Sequence, residues 1–140
     1  MKIHELLEDT FDHSNPDYKI TGLHVNQGGP ARPVSLKQKY RINPHDLVEA
    51  FGEPQKFTEP TDDIDYLWDF DIDYRKLNEK DEDPEYDYMA EIQLYTRKYD
   101  GELANLADED IWNMATTNDW DSRHVFEQLL MQKGIRFKYA

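Results

Sequence analysis

The chain has no cysteine among its 140 residues, which excludes disulfides, thiolate metal ligands and cysteine nucleophiles and fits a reducing compartment. No apolar run approaches the roughly 18 residues of a membrane span. Met1 opens directly on a polar amphipathic segment, so neither a span nor a signal peptide is expected. Serine is scarce: Ser14, Ser35 and Ser122 are the available nucleophiles, and none stands in a G-x-S-x-G context. No P-loop or G-x-G-x-x-G occurs, and Gly28-Gly29-Pro30 reads as a turn. Bases are few as well, 16 Lys and Arg against 30 Asp and Glu, giving a net charge of −14. That balance repels nucleic acid and anionic membrane and favours a basic protein or a cation as partner. Aromatic residues, by contrast, make up 13% of the chain, too many for wholesale disorder. The length suits one domain over residues 1–140 with a single core, and no internal repeat or linker divides it.

Hydrophobic spacing predicts the elements. Ile3, Leu6, Leu7, Thr10 and Phe11 follow the face of a short helix. Tyr18 to Val25 reads as a short strand. From Val34 to Ile42, Val34, Leu36, Tyr40 and Ile42 share one parity and Ser35, Lys37, Lys39 and Arg41 the other, a half-buried strand with a basic outer row. Asn43 as N-cap, Pro44 at N1, the stripe Leu47, Val48, Phe51 and then Gly52 punctuate a helix, which Glu53-Pro54 stops. Ile64 to Tyr74 alternates most clearly, with Ile64, Tyr66, Trp68, Phe70, Ile72 and Tyr74 facing a core. Asp65, Asp69, Asp71 and Asp73, interrupted by Leu67, face outward. Tyr86 to Tyr99, with Tyr88, Ala90, Ile92 and Leu94 inward, pairs with it as a hairpin across a long acidic insertion at about 75–85. A strand at Ile111–Thr116 adds Trp112 and Met114 to the core. Asn118 or Asp119 caps a helix carrying Val125, Phe126, Leu129 and Leu130, and Gly134 ends it before an edge segment from Ile135 to Tyr139. The fold expected is α+β, a small antiparallel β-sheet with helices packed on one face.

The charge is concentrated. Residues 59–91 hold fourteen acids and three bases, so −11 of the −14 lies in this span. Asp69, Asp71 and Asp73 would recur about every 6.8 Å along a strand, a row of negative charge similar in kind to the phosphates of a nucleic-acid strand. Like charges in a row cost stability, and a protein competing for a nucleic-acid-binding groove would use them to meet its Lys and Arg residues. The candidate partner-binding residues are Asp65, Asp69, Asp71, Asp73, Asp81, Glu82, Asp83, Glu85, Asp87 and Glu91. The competing explanation is a solvated face that confers solubility and discourages edge pairing.

Other motifs carry less. Asp69, Asp71 and Asp73 imitate the start of a calcium loop, but no Gly stands at the sixth position, and Lys80 occupies the twelfth, where a Glu is needed. A looser cation site would add Asp87 or Glu91 to them. His4-Glu5-Leu6-Leu7-Glu8 misses the second His of H-E-x-x-H, His13 is a remote third ligand, and His24, His45 and His124 are scattered. Carboxylates are too numerous for any pair to mark acid–base chemistry. Trp68, Trp112 and Trp120 read as core residues, not as a base-stacking platform. No metal or cofactor is expected, and no enzymatic activity.

Several segments together resemble a family. Val34-Ser35-Leu36, then Tyr40 to Pro54 with Leu47 and Phe51-Gly52-Glu53-Pro54, then Trp68-Asp69-Phe70, Ile92 to Lys98 and Trp112 are similar to small phage-encoded accessory proteins. Those carry the pattern L-x-x-x-F-G-x-P, W-x-x-x-F and a later W. The chain departs from them at the insertion from Arg75 to Glu85, at Leu94-Tyr95-Thr96-Arg97-Lys98 and at Asn113 to Asp119. The resemblance implies a helix-and-sheet fold and a mobile-element origin, and it assigns no functional residue. Joined to the charge row, it leads to an expectation. The chain is a phage or mobile-element protein in the cytoplasm of a bacterial host. It inhibits a nucleic-acid-binding or defence protein, such as a nuclease, by nucleic-acid mimicry, with no direct nucleic acid or membrane contact. The alternative is a structural or regulatory interaction module whose acidity serves solubility.

Overall fold

The computed structural model describes residues 18–27, 36–57, 64–77, 88–97, 105–116 and 120–140. In chain order these form strands β1 (Tyr18–Asn26) and β2 (Leu36–Ile42), helix α1 (Pro44–Phe51), the two-residue strand β3 (Gln55–Lys56), and the strands β4 (Ile64–Lys76) and β5 (Tyr88–Arg97). A 3₁₀ turn (Leu106–Asp108), strand β6 (Ile111–Thr116), helix α2 (Trp120–Gln132) and strand β7 (Phe137–Tyr139) complete them. The expected helix over Ile3 to Phe11, the Gly28-Gly29-Pro30 turn, residues 78–85 of the expected acidic insertion and the cap at Asn118 or Asp119 fall outside the described residues, whereas Arg75 and Lys76, expected to open that insertion, continue β4 and pair with β1.

All the strands join one antiparallel sheet in the order β1-β4-β5-β6-β2-β7, with β3 beside β4 next to the end of β1. The fold is thus α+β with the sheet dominant. Its centre is the hairpin expected from alternation: β4 and β5 pair from Tyr74↔Tyr88 to Ile64↔Arg97. Tyr66, Trp68, Phe70, Ile72 and Tyr74 share the main core with Ala90, Ile92 and Leu94 of β5 and Trp112 and Met114 of β6. Trp68 and Trp112 are both buried, with ring centroids 4.8 Å apart. Leu47 and Phe51 of α1, and Val125, Phe126, Leu129 and Leu130 of α2, belong to this same core. Phe70 meets Phe51 at 4.8 Å and Phe126 at 5.7 Å.

Local chemistry starts and stops both helices. Asn43 Oδ1 accepts the His45 N–H at 2.9 Å, Pro44 follows at N1, and the Gly52 N–H donates to Val48 O at 2.8 Å. At the end of α2 the Gly134 N–H donates to Met131 O (3.0 Å) and the Ile135 N–H to Leu130 O (2.9 Å), the paired bonds of a Schellman motif. Gly134 has φ 72° there, a conformation that a Cβ disfavours. Ile135 and Leu130 are both core residues, as that motif's hydrophobic contact requires. The chain then turns into β7, which lies at the end of the sheet as its edge-like pattern predicted. Among the described residues no helix is long and apolar enough to cross a membrane.

Two details correct the expected alternation. The β4–β5 register shifts between Ile64 and Leu67, so two β4 residues stand opposite one on β5. The bulge carries Ile64 out of the Tyr66–Tyr74 set and into a second buried cluster with Leu67, Tyr95 and Ala115, against which Phe57 packs. The second correction concerns the expected outward face. Asp65 and Asp69 are buried, as are Leu67, Gln93 and Asn113. Strict alternation distinguishes the two sides of a strand, but both sides of this sheet are buried over its middle.

Candidate functional site

The acidic strand separates into three environments. Asp65, 1% exposed, sits in the bulge, and both of its carboxylate oxygens are buried without a hydrogen-bond partner. The backbone around it is well held: Asp65 O accepts the Phe57 N–H at 2.9 Å, and the Tyr66 N–H donates to Thr96 Oγ1 at 3.2 Å. Asp69, buried opposite Gln93, accepts a 3.4 Å bond from Gln93 Nε2. Asp71 is half-buried and Asp73 exposed. Of the four strand aspartates, Asp65 and Asp69 are buried and only these last two are not, so the row is shorter than its spacing suggests.

The register across the sheet fixes the neighbours of that pair. Asp71 lies between His24 on β1 and Glu91 on β5, and Asp73 lies between Gly22 and Met89. Asn26 Nδ2 donates to Asp71 Oδ2 at 3.0 Å and orients that carboxylate. Glu91, half-buried, brings a second negative charge directly opposite Asp71, a cross-strand arrangement that costs stability. Gly22 permits the place of Asp73: a Cβ built there would lie 2.9 Å from Asp73 Oδ2. The result is an acidic corner of Asp71, Asp73 and Glu91, flanked by the exposed side chain of Met89. Asp81, Glu82, Asp83, Glu85 and Asp87 lie outside the described residues. Asp69, Asp71 and Asp73 stand in a strand, which rules out the calcium-loop conformation for them. Among the described residues no three His, Asp or Glu side chains are grouped to hold a metal.

A second constellation was not anticipated. Glu127 of α2 is fully buried, and its carboxylate gathers side chains from three elements. Tyr40 of β2 donates its hydroxyl to Oε2 at 2.8 Å, and Tyr139 of β7 donates to Oε1 at 2.9 Å and Oε2 at 3.0 Å. Arg123, one helical turn earlier, places Nε 3.3 Å from Oε2 as an ion pair without hydrogen-bond geometry. It donates through Nη2 to Tyr139 Oη at 3.1 Å instead, and its guanidinium lies over the Tyr139 ring, 5.3 Å from the centroid. Burial, then the charge and hydrogen bond of Glu127, push the Tyr40 hydroxyl well above the ordinary tyrosine pKa. The same causes in the same order raise Tyr139. The cluster ties the β2–β7 edge to α2. Its arrangement is that of a satisfied structural network, since each hydroxyl proton is committed to the carboxylate.

Glu127 escaped detection because it interrupts an apolar stretch without a partner nearby in sequence: Tyr40 is 87 residues away. The available signal was its position between Phe126 and Leu129 on a helix whose residues 124–130 are all buried. A smaller clamp joins β1, β4 and α2: Asp121 accepts the Tyr18 hydroxyl at 2.6 Å and pairs with Lys76 at 3.2 Å. Neither the known protein families, nor the curated proteins, nor the solved structures include a match to this chain.

Proposed function

We propose that this chain is a non-enzymatic inhibitor, of phage or mobile-element origin. In this reading it sets the acidic corner of its sheet against the nucleic-acid-binding surface of a protein in the cytoplasm of its bacterial host. A defence nuclease is the class of partner that the charge suits. Asp71 and Asp73, two residues apart on β4 with Glu91 across from Asp71, carry the proposal: they are the part of the acidic strand that is within reach of a partner. They belong to a span of residues 59–91 with fourteen acids. Such a group attracts Lys and Arg over about a Debye length and steers a basic surface toward it. Both helices occupy the Phe70 face in this reading, and the contacts of Phe51 and Phe126 with Phe70 support that arrangement; on the carboxylate face the middle of the sheet is buried, and the corner of Asp71, Asp73 and Glu91 is what remains for a partner. The resemblance to phage accessory proteins supports the origin.

The test is a pull-down from bacterial lysate at low and high salt, followed by association kinetics with the protein recovered. Changing Asp71, Asp73 and Glu91 to Asn, Asn and Gln should leave the fold intact and slow association at least tenfold, with dissociation changed less. Asp69 is left alone because it is buried. Neutralising Asp81, Glu82, Asp83 and Glu85 is the control for bulk charge. If that control weakens binding equally, the spacing on the strand is irrelevant. If neither variant nor raised salt affects binding, acidic mimicry is wrong. Leu67, the apolar residue that interrupts the aspartate row, offers no alternative contact, since it is 2% exposed.

A further inference from the structure

The opposite end of the sheet carries the reverse charge. Between α1 and β7 lies an open cleft of about 560 Å³ whose lining includes Arg41, Asp46, Arg136, Phe137 and Lys138. Arg41 and Lys138 stand directly opposite one another in the β2–β7 pair, so their Cβ atoms are roughly 5 Å apart. Like charges so placed repel unless an anion lies between them. Arg136 is two residues before Lys138, and among the described residues neither makes an ion pair. Arg41 does have a partner: its Nη1 meets Asp110 Oδ2 at 2.7 Å, with both side chains 51% exposed. A solvent-exposed pair of this kind is readily exchanged for a bidentate phosphate. In a chain of net charge −14, the run Lys133 to Lys138 contains three bases and no acid.

We propose that this cleft is an anion site whose ligand is a small phosphorylated molecule. The side chains supply the binding, because the capped start of α1 has its first amides committed to Asn43. The volume exceeds that needed for a bare phosphate and lies in the range of small-ligand sites, about 300–1,000 Å³. A nucleic-acid strand is the less favoured ligand: Asp46 offsets part of the charge of the three cations in the cleft, and a polyanion would extend beyond them over a chain of net charge −14, whereas a small phosphorylated molecule stays within their reach. The cleft is separate from the acidic corner, which lies on β4 and β5, on the far side of β6 from β2 in the sheet order.

The experiment is an amide-resolved NMR titration of the whole chain with inorganic pyrophosphate at constant ionic strength, beside a short single-stranded DNA. Pyrophosphate should shift the amides of Arg41, Arg136 and Lys138 with a Kd on the order of 1 mM, and the DNA should shift none of them. Arg136→Glu with Lys138→Glu should weaken binding at least tenfold, and the spectrum itself reports whether this double variant is folded. Asp110→Asn should tighten binding about two- to fivefold by releasing Arg41. Shifts scattered over the surface, indifference to both substitutions, or tighter binding of DNA than of pyrophosphate would each overturn the proposal.

Discussion

Replacing Glu127 by Ala tests how the edge of the sheet is held. The carboxylate is fully buried, accepts hydrogen bonds from Tyr40 and Tyr139, and pairs with Arg123. Removing it strands the Tyr40 hydroxyl, whose remaining neighbour is Met114 Sδ at 3.9 Å, a weak acceptor. It also leaves a cavity and a partly buried guanidinium without its counter-charge. Breaking a buried ion pair from one side costs about 3–5 kcal/mol. For 140 residues, the entropy of unfolding is about 0.3 kcal/mol per degree near the melting point. The melting temperature should therefore fall by about 10–17 °C. Urea unfolding followed by tryptophan emission measures the same loss through a lowered midpoint at unchanged slope. Glu127→Gln, which keeps one acceptor and the volume, should lose less than Glu127→Ala. Tyr139→Phe should lose less again, because Tyr139 is only half-buried. A loss below about 1 kcal/mol for Glu127→Ala would refute the view that this network holds β2, β7 and α2 together.

Three further outcomes are expected. Asp65→Leu should raise the unfolding free energy by about 1–3 kcal/mol, read as a higher urea midpoint at unchanged slope, because it removes a carboxylate buried without a partner; a lower midpoint would mean that the carboxylate has a stabilising partner after all. Above pH 10 stability should decline, because Tyr40 keeps its proton in the folded state after the unfolded chain has lost it near pH 10. The slope is about 1.4 kcal/mol per pH unit until the folded pKa is reached, Tyr139 adds a smaller amount because it is partly exposed, and Tyr40→Phe should remove the Tyr40 component from the unfolding curves. Gly22→Ala should cost less than about 1 kcal/mol, since the atom it meets is the free end of an exposed aspartate, and the loss should disappear when Asp73→Ala is added, as a double-mutant cycle would measure.

Much of the secondary structure was legible because its causes are local. Alternation of side chains reveals β4 and β5, Asn43 and Pro44 mark the start of α1, and Gly134 marks the end of α2. These features depend on residues within a turn or two of one another. The charge of residues 59–91 was likewise plain.

Depth and partnership were beyond local pattern. Asp65, Asp69, Asp71 and Asp73 are chemically identical and evenly patterned, yet two are buried and two reach solvent to different degrees, because exposure depends on what the rest of the chain lays over the sheet. Ile64 changes sides through a bulge that exists only in register with β5. Glu127 acquires its meaning from Tyr40 and Tyr139, which lie on two other elements. Periodicity along a chain carries information about direction, whereas burial and hydrogen-bond partnership are relations between segments, and folding alone brings those segments together.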